Sequence, residues 1–232
     1  MPKEMPLRSI EAISRPTVAD QVFDELYQNV ISLELAPGAK ISEAEVAKAM
    51  GVSRQPVRDA FYRLSKLGFL EIRPQRATTV SKISESAVLQ ARFIRTALEI
   101  ESMRVACERL TEADFRVLEE NMTLQEAALN DTNKMVFHHL DDAFHREICE
   151  RSGVGFIWKL IQENKAHMDR VRFLSLSFAS TNAHGDHLKI FEALRHRDAD
   201  GVTVLIRTHL SAIVEHFRRI RAEHLIYFAD EG

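Results

Sequence analysis

Apolar residues recur every three to four positions in three short stretches near the start of the chain, and then almost without a break from residue 84 onward. The first stretch begins near Pro16, a good first-turn residue, carries Val22, Phe23, Leu26, Val30 and Ile31 on one face, and stops before Ala36-Pro37-Gly38. Ser42 with Glu45 three places on predicts a capping box for a short second helix holding Val46, Ala49 and Met50, closed by Gly51. Ser53 is placed to cap a third helix, with Val57, Ala60, Phe61, Leu64 and Leu67 turned inward and Gly68 at its end. Two extended stretches, 69–73 and 78–81, joined by a turn at 74–77, read as a hairpin.

From Ser84 the pattern is helical to the end. Six helices are expected, roughly 84–110, 111–130, 133–152, 155–179, 182–197 and 198–228, with breaks suggested by Thr111, Asp131–Asn133, Gly153 with Gly155, Ser180–Asn182 and Arg197–Asp198. The pattern therefore predicts a mobile arm at 1–14, a small mixed domain at 15–81 and a helical domain at 84–230. The expected fold is mainly α: a winged helix-turn-helix with a small β-hairpin wing, followed by an all-α six-helix antiparallel bundle.

Composition narrows the function classes. Hydrophobic residues make up 45% of 232, enough for packed cores, and no apolar run approaches the roughly 20 residues needed to span a bilayer. The chain is therefore expected to be cytoplasmic. Its two cysteines, Cys107 and Cys149, stand in no paired motif, which argues against a disulfide framework or a thiolate zinc site. The net charge of −3 hides an uneven distribution: residues 52–80 hold six basic residues against two acidic ones, whereas residues 81–232 hold 20 against 24. A basic patch on an acidic body attracts phosphate locally.

That patch lies on the third helix and the hairpin. With Val57, Ala60, Phe61 and Leu64 inward, Arg54 and Arg58 project one turn apart on the outer face beside Gln55. Arginine reads guanine O6 and N7, and glutamine reads adenine. Ser53 stands at the same helix end; Arg63, Lys66 and Arg73 are better suited to phosphates, and Arg76 sits in the hairpin turn. The stretch PGAKISEAEVAKAMGVSRQPVRDAFYRLSKLGFLEIRP resembles the DNA-binding domain of the GntR family of bacterial regulators, over about residues 16–81. Pro37-Gly38, Glu43, Ala47, Gly51-Val52-Ser53-Arg54, Pro56-Val57-Arg58, Leu64 and Gly68 fall at the family's spacing. The resemblance implies DNA contacts by Arg54, Gln55 and Arg58, with the wing near Arg76 approaching the minor groove.

All ten histidines lie beyond residue 137. Asp141 and His145, four apart on one helix, are about 6 Å apart along its axis and suit a common ion. His187 and His209 could add ligands from neighbouring helices, although His138, His139, His167, His184 and His216 compete for the same roles. The segments LDDAFHREICERSG, HLKIFEALRHRDADG and RTHL resemble the FCD effector domain of the FadR branch of that family, over about residues 84–228 and closer to its shorter VanR-like subgroup. The resemblance implies that Asp141, His145, His187 and His209 are the metal ligands. Three imidazoles and a carboxylate suit Zn²⁺, Ni²⁺ or Mn²⁺. An effector carboxylate could then bind at the ion, supported by Arg95, Arg170 or Arg172. The expectation is a homodimeric, non-enzymatic regulator, in the family's commoner arrangement a repressor, that binds double-stranded operator DNA and answers to a small organic acid. A metal-dependent hydrolase and a plain metal sensor are the rival classes; the sequence offers the first no recognisable general base.

Overall fold

The computed structural model describes residues 16–73 and 76–230. The expected arm at 1–14 lies outside them. Helix α1 (Val18–Ile31) opens on a reciprocal capping box in which Thr17 and Asp20 satisfy each other's backbone amides. Strand β1 (Lys40–Ile41) precedes α2 (Glu43–Met50), whose C-cap Gly51 takes the left-handed conformation (φ 67°) that turns the chain sharply into α3 (Arg54–Lys66). Strands β2 (Leu70–Glu71) and β3 (Thr78–Val80) form the predicted hairpin. The pattern missed β1, which is only two residues long and pairs antiparallel with β3 to make a three-stranded sheet in the order β1-β3-β2. Val22, Val30, Val57, Phe61, Leu64 and Val80 close the core of this unit.

The second unit contains five long helices where six were expected: α4 (Glu85–Arg109), α5 (Glu112–Ala128), α6 (Lys134–Arg151), α7 (Phe156–Arg195) and α8 (Ala199–Glu223). The predicted helices at 155–179 and 182–197 are one 40-residue helix. Ser180, Thr181 and Asn182 have the composition of a break, since such side chains compete for backbone bonds. Here the Ser180 hydroxyl donates to the Leu176 carbonyl within the helix (2.7 Å), and buried residues on both sides, from Ile161 to Leu194, keep the rod packed. Tertiary burial overrides the local preference. The last predicted helix ends at Glu223 and gives way to a 3-10 turn (Leu225–Tyr227) that bonds back to the inter-domain link: Ile83 N–H donates to Tyr227 O, and Ala229 N–H to Ile83 O.

One segment of α7 joins the two units. Ala166 belongs to the core of the first unit, the His167 ring lies on Phe69 (centroids 4.6 Å apart) with Nε2 3.0 Å from the Leu67 carbonyl, and Arg170 donates to the Ser81 carbonyl at 2.7 Å. Among the described residues no helix is long and apolar enough to cross a membrane.

Candidate nucleic-acid interface and buried metal centre

The N-terminus of α3 presents Ser53, Arg54, Gln55 and Arg58 to solvent, while Val57 and Ala60 on the opposite face are fully buried. The Ser53 side chain makes no capping bond to the helix, contrary to expectation, although its backbone is in the extended N-cap conformation. Gln55 donates to Asp59 (2.9 Å) and Arg58 pairs with Glu43 at the start of α2 (3.2 Å). Asp59 is exposed and Glu43 half-buried beside an exposed Arg58, and such surface pairs are weak, screened and readily exchanged for a phosphate or a base edge. Lys66 lies at the far end of α3 over the Tyr62 ring, away from the tip. Arg63 pairs with Asp20 at 2.9 Å and stacks on Phe23, which turns it toward α1.

The wing adds a second cationic surface. Arg73 and Arg76 line a groove together with Lys40, which β1 brings alongside Thr79 of β3. Sequence reasoning passed over Lys40 because a two-residue strand leaves no periodic signal.

In the helical unit Asp141, His145, His187 and His209 converge from α6, α7 and α8, with ligand atoms all within 4.8 Å of one another. Ligands 2.0–2.2 Å from a common ion lie at most about 4.4 Å apart, so the cluster fits an ion after a shift of a few tenths of an ångström. Asp141, His145 and His187 are wholly buried, and the His209 side chain is 8% exposed. Each imidazole turns Nδ1 away from the centre toward its own partner. For His145 this is Glu99 (2.6 Å), for His187 the Gln125 carbonyl oxygen (2.8 Å), and for His209 Asp186 (3.6 Å). Gln125 is itself fixed, donating to Asn121 Oδ1 at 2.7 Å. The Nε2 atoms of His145 and His187 and the Asp141 Oδ1 atom are buried without a hydrogen-bond partner, while Asp141 Oδ2 is paired with Arg172 at 2.5 Å. Nδ1 turned outward to a neighbour and Nε2 left free at the centre is how metal-binding histidines are prepared.

Charge on these groups follows the same plan. Burial alone would raise the Asp141 carboxyl, but Arg172 and the three histidines hold it well below the usual carboxylate range. Glu99 is likewise held far down, against burial, by Arg95 and His145. Burial pushes His187 well below the ordinary imidazole value and His209 in the same direction, against their carboxylate neighbours. The site thus favours a charged Asp141 carboxylate and neutral imidazoles at His187 and His209, the protonation states a cation requires of them. Of the competing histidines, His138 faces Asp142 and Asp169, His167 the Leu67 carbonyl, and His216 lines a cavity described next.

A cavity of about 70 Å³ opens beside the cluster, walled by His209, Arg95 and Arg172 with Ser175, Asn182 and His216. At roughly 10–15 Å³ per water-sized position, it admits a ligand of only a few heavy atoms. Arg95 pairs with Glu99 (2.5 Å) and Arg172 with Asp141 (2.5 Å), which places both guanidinium groups at the wall. Arg170 is elsewhere. Two residues before Arg172 on α7 it faces the opposite side of the helix, where it serves the junction with the first unit and does not reach the cavity. Asn121, Gln125 and Asp186 were missed by sequence reasoning. The available signal was the polar pair Asn121 and Gln125 inside the apolar stripe of Phe115, Leu118 and Met122.

Residues 18–80 match the family described as bacterial regulatory proteins, gntR family, and residues 90–212 match the FCD domain. The chain is 37% identical to the HTH-type transcriptional repressor RspR of Escherichia coli (strain K12) over 96% of its own length and 100% of that protein. It is 38% identical to the HTH-type transcriptional regulator YdfH of Escherichia coli O6:H1, covering 93% and 96% of the two chains. In three dimensions it superposes on E. coli McbR/YncC with a TM-score of 0.72 at 20% identity, over 90% of this chain and all of the other, a likeness of fold.

Proposed function

The chain belongs to the gntR family of bacterial regulatory proteins and carries an FCD domain, and from that premise we propose a transcriptional repressor whose grip on operator DNA is set by a small organic acid bound beside a divalent ion. Ser53, Arg54, Gln55 and Arg58 enter the major groove; Lys66, Arg73 and Arg76, joined by Lys40, hold phosphates on either side. Asp141, His145, His187 and His209 hold the ion. Zn²⁺, Ni²⁺ and Mn²⁺ suit this donor set, and the ion supplies an open coordination position for a carboxylate.

The observation that carries the reading is the open wall of the site. A cluster meant only to stiffen the bundle would be closed, whereas this one has His209 and two arginines facing a cavity sized for a small anion. The same feature favours a small acid as a second occupant beside the ion. Two copies of the head on a two-fold axis suit a near-palindromic operator, and Phe93, 73% exposed with Leu89 and Ile94 beside it on α4, gives a second copy an apolar face to cover. Its place of action is the cytoplasm.

The test is elemental analysis of the purified protein beside its His145→Ala/His209→Ala double variant. About one ion per chain should fall to near zero; equal metal content in the two rejects the ligand set. Operator binding is checked by selection from fragmented genomic DNA. No fragment retained above bulk competitor rejects the head.

A further inference from the structure

Arg172 faces two ways. Its Nη2 holds Asp141 at 2.5 Å, while Nη1 lies 3.8 Å from Asp142 and 3.7 Å from Asp169. Those two carboxylates also share one ammonium: Lys165 Nζ is 2.7 Å from Asp142 and 2.5 Å from Asp169, and all three residues are largely or wholly buried. Lys165, Asp142 and Asp169 line a cleft together with Tyr27 and Ile31 of α1, Trp158, the cationic Arg146 and the titratable His138. Burial together with the Asp169 and Asp142 charges pushes the Tyr27 phenol up, so α1 already lies within the field of this group. A continuous row of charges runs from the metal cluster to the helix that braces α3.

We propose that Arg172 and Lys165 are positioning residues that carry ion occupancy at Asp141 to the α1 face of the DNA-reading head. The inference rests on the metal reading above. With a divalent cation bound, Asp141 would share its charge with the ion and the Arg172 guanidinium would lose part of its hold there. Asp142 and Asp169, slightly too distant now, become its better partners. As Arg172 closes on them, Lys165 loses part of its hold on the same two oxygens and the wall against Tyr27 relaxes. Arg172 and Lys165 compete for one pair of carboxylates, which the His138 ring also faces, and this competition gives coupling a physical element beyond mere proximity.

Trp158 is the only tryptophan in the chain and lines this cleft, so it reports the change without a label. The experiment adds Zn²⁺ alone to full-length, chelator-stripped protein. Three quantities are followed: bound metal, Trp158 emission, and hydrogen exchange of the α1 amides. In wild type, emission should shift and α1 exchange should change severalfold as one ion binds. The Lys165→Met/Asp169→Asn variant removes a cation and an anion together, so it avoids leaving one buried charge alone. It should bind one Zn²⁺ with affinity within a few fold of wild type while emission and α1 exchange stay still. Lys165→Arg, which keeps a cation at this place, should keep the response. Ion bound with α1 silent in wild type overturns the coupling and leaves the metal site standing, and so does an undiminished response in the double variant. No ion bound at all overturns both. The wild-type titration decides the matter even if the double variant fails to fold.

Discussion

The two ends of this molecule handle charge in opposite ways. At the tip of α3, Ser53, Arg54, Gln55 and Arg58 stand in water with partners that are absent or easily exchanged. In the helical unit, Asp141, His145, His187, Glu99 and Arg95 have almost no contact with solvent, and each is held by a named neighbour. A surface that must meet a polyanion benefits from charges that remain solvated until contact. On the proposed reading, a site for an ion and a small acid needs its ligands neutral or paired before either arrives. The contrast means that substitutions in the two regions should fail differently: in the head through recognition with the fold intact, in the core through stability and metal content together.

The sharpest way to break that contrast is Glu99→Ala. It strands Arg95 in the interior and frees His145 Nδ1, and loss of one partner of a buried pair costs about 3–5 kcal/mol. Chemical denaturation should show the loss; a change under 1 kcal/mol would mean the centre is wetter and looser than its geometry. Next comes Arg54→Ala, which should leave the melting temperature alone and remove about 1–3 kcal/mol of discrimination at one base pair. Set beside it, Lys66→Ala should weaken specific and random DNA alike and reduce the salt slope by about 0.9. If both variants lose specific and random binding equally, the tip of α3 is not the reading surface.

The smallest effect belongs to the junction between the two regions. Burial holds His167 below the ordinary imidazole value, against its bond to the Leu67 carbonyl, with Arg170 adding to the depression. Because the folded-state value is lowered, the stability it contributes is present above the unfolded value of about 6.5 and is lost as pH falls below it. Between pH 7.5 and 5.5, wild type should therefore lose more melting temperature than His167→Gln, by roughly 2–4 °C for each kcal/mol involved. Parallel curves for the two proteins would place no titrating group at the junction.

Much of this was legible along the chain. The turn at Pro37-Gly38, the left-handed Gly51 and the inward face of α3 are local features, so period and turn chemistry were enough to place Arg54 and Arg58 on the outer face. The capping residues Thr111, Asn133 and Ser84 likewise marked helix starts that the structure keeps. Asp141 and His145 sit on one helix at a spacing that geometry alone makes a pair. His187 and His209 were different. Among ten histidines, spacing left several competitors, and only the resemblance to the FCD domain singled them out.

The sequence by itself determined the order of elements, the polarity of each helix face and which residue types were available for ion and phosphate chemistry, because these depend on neighbours a few residues apart. Only the tertiary structure decided the rest. It made one rod of α7, sent Arg170 to the Ser81 carbonyl and Arg172 to Asp141, and supplied Gln125 and Asp186 as supports for the histidines. Those outcomes depend on how helices far apart in the chain rotate against one another as they bury their apolar faces. A step of two residues, about 200° around α7, separates the cavity wall from the domain junction.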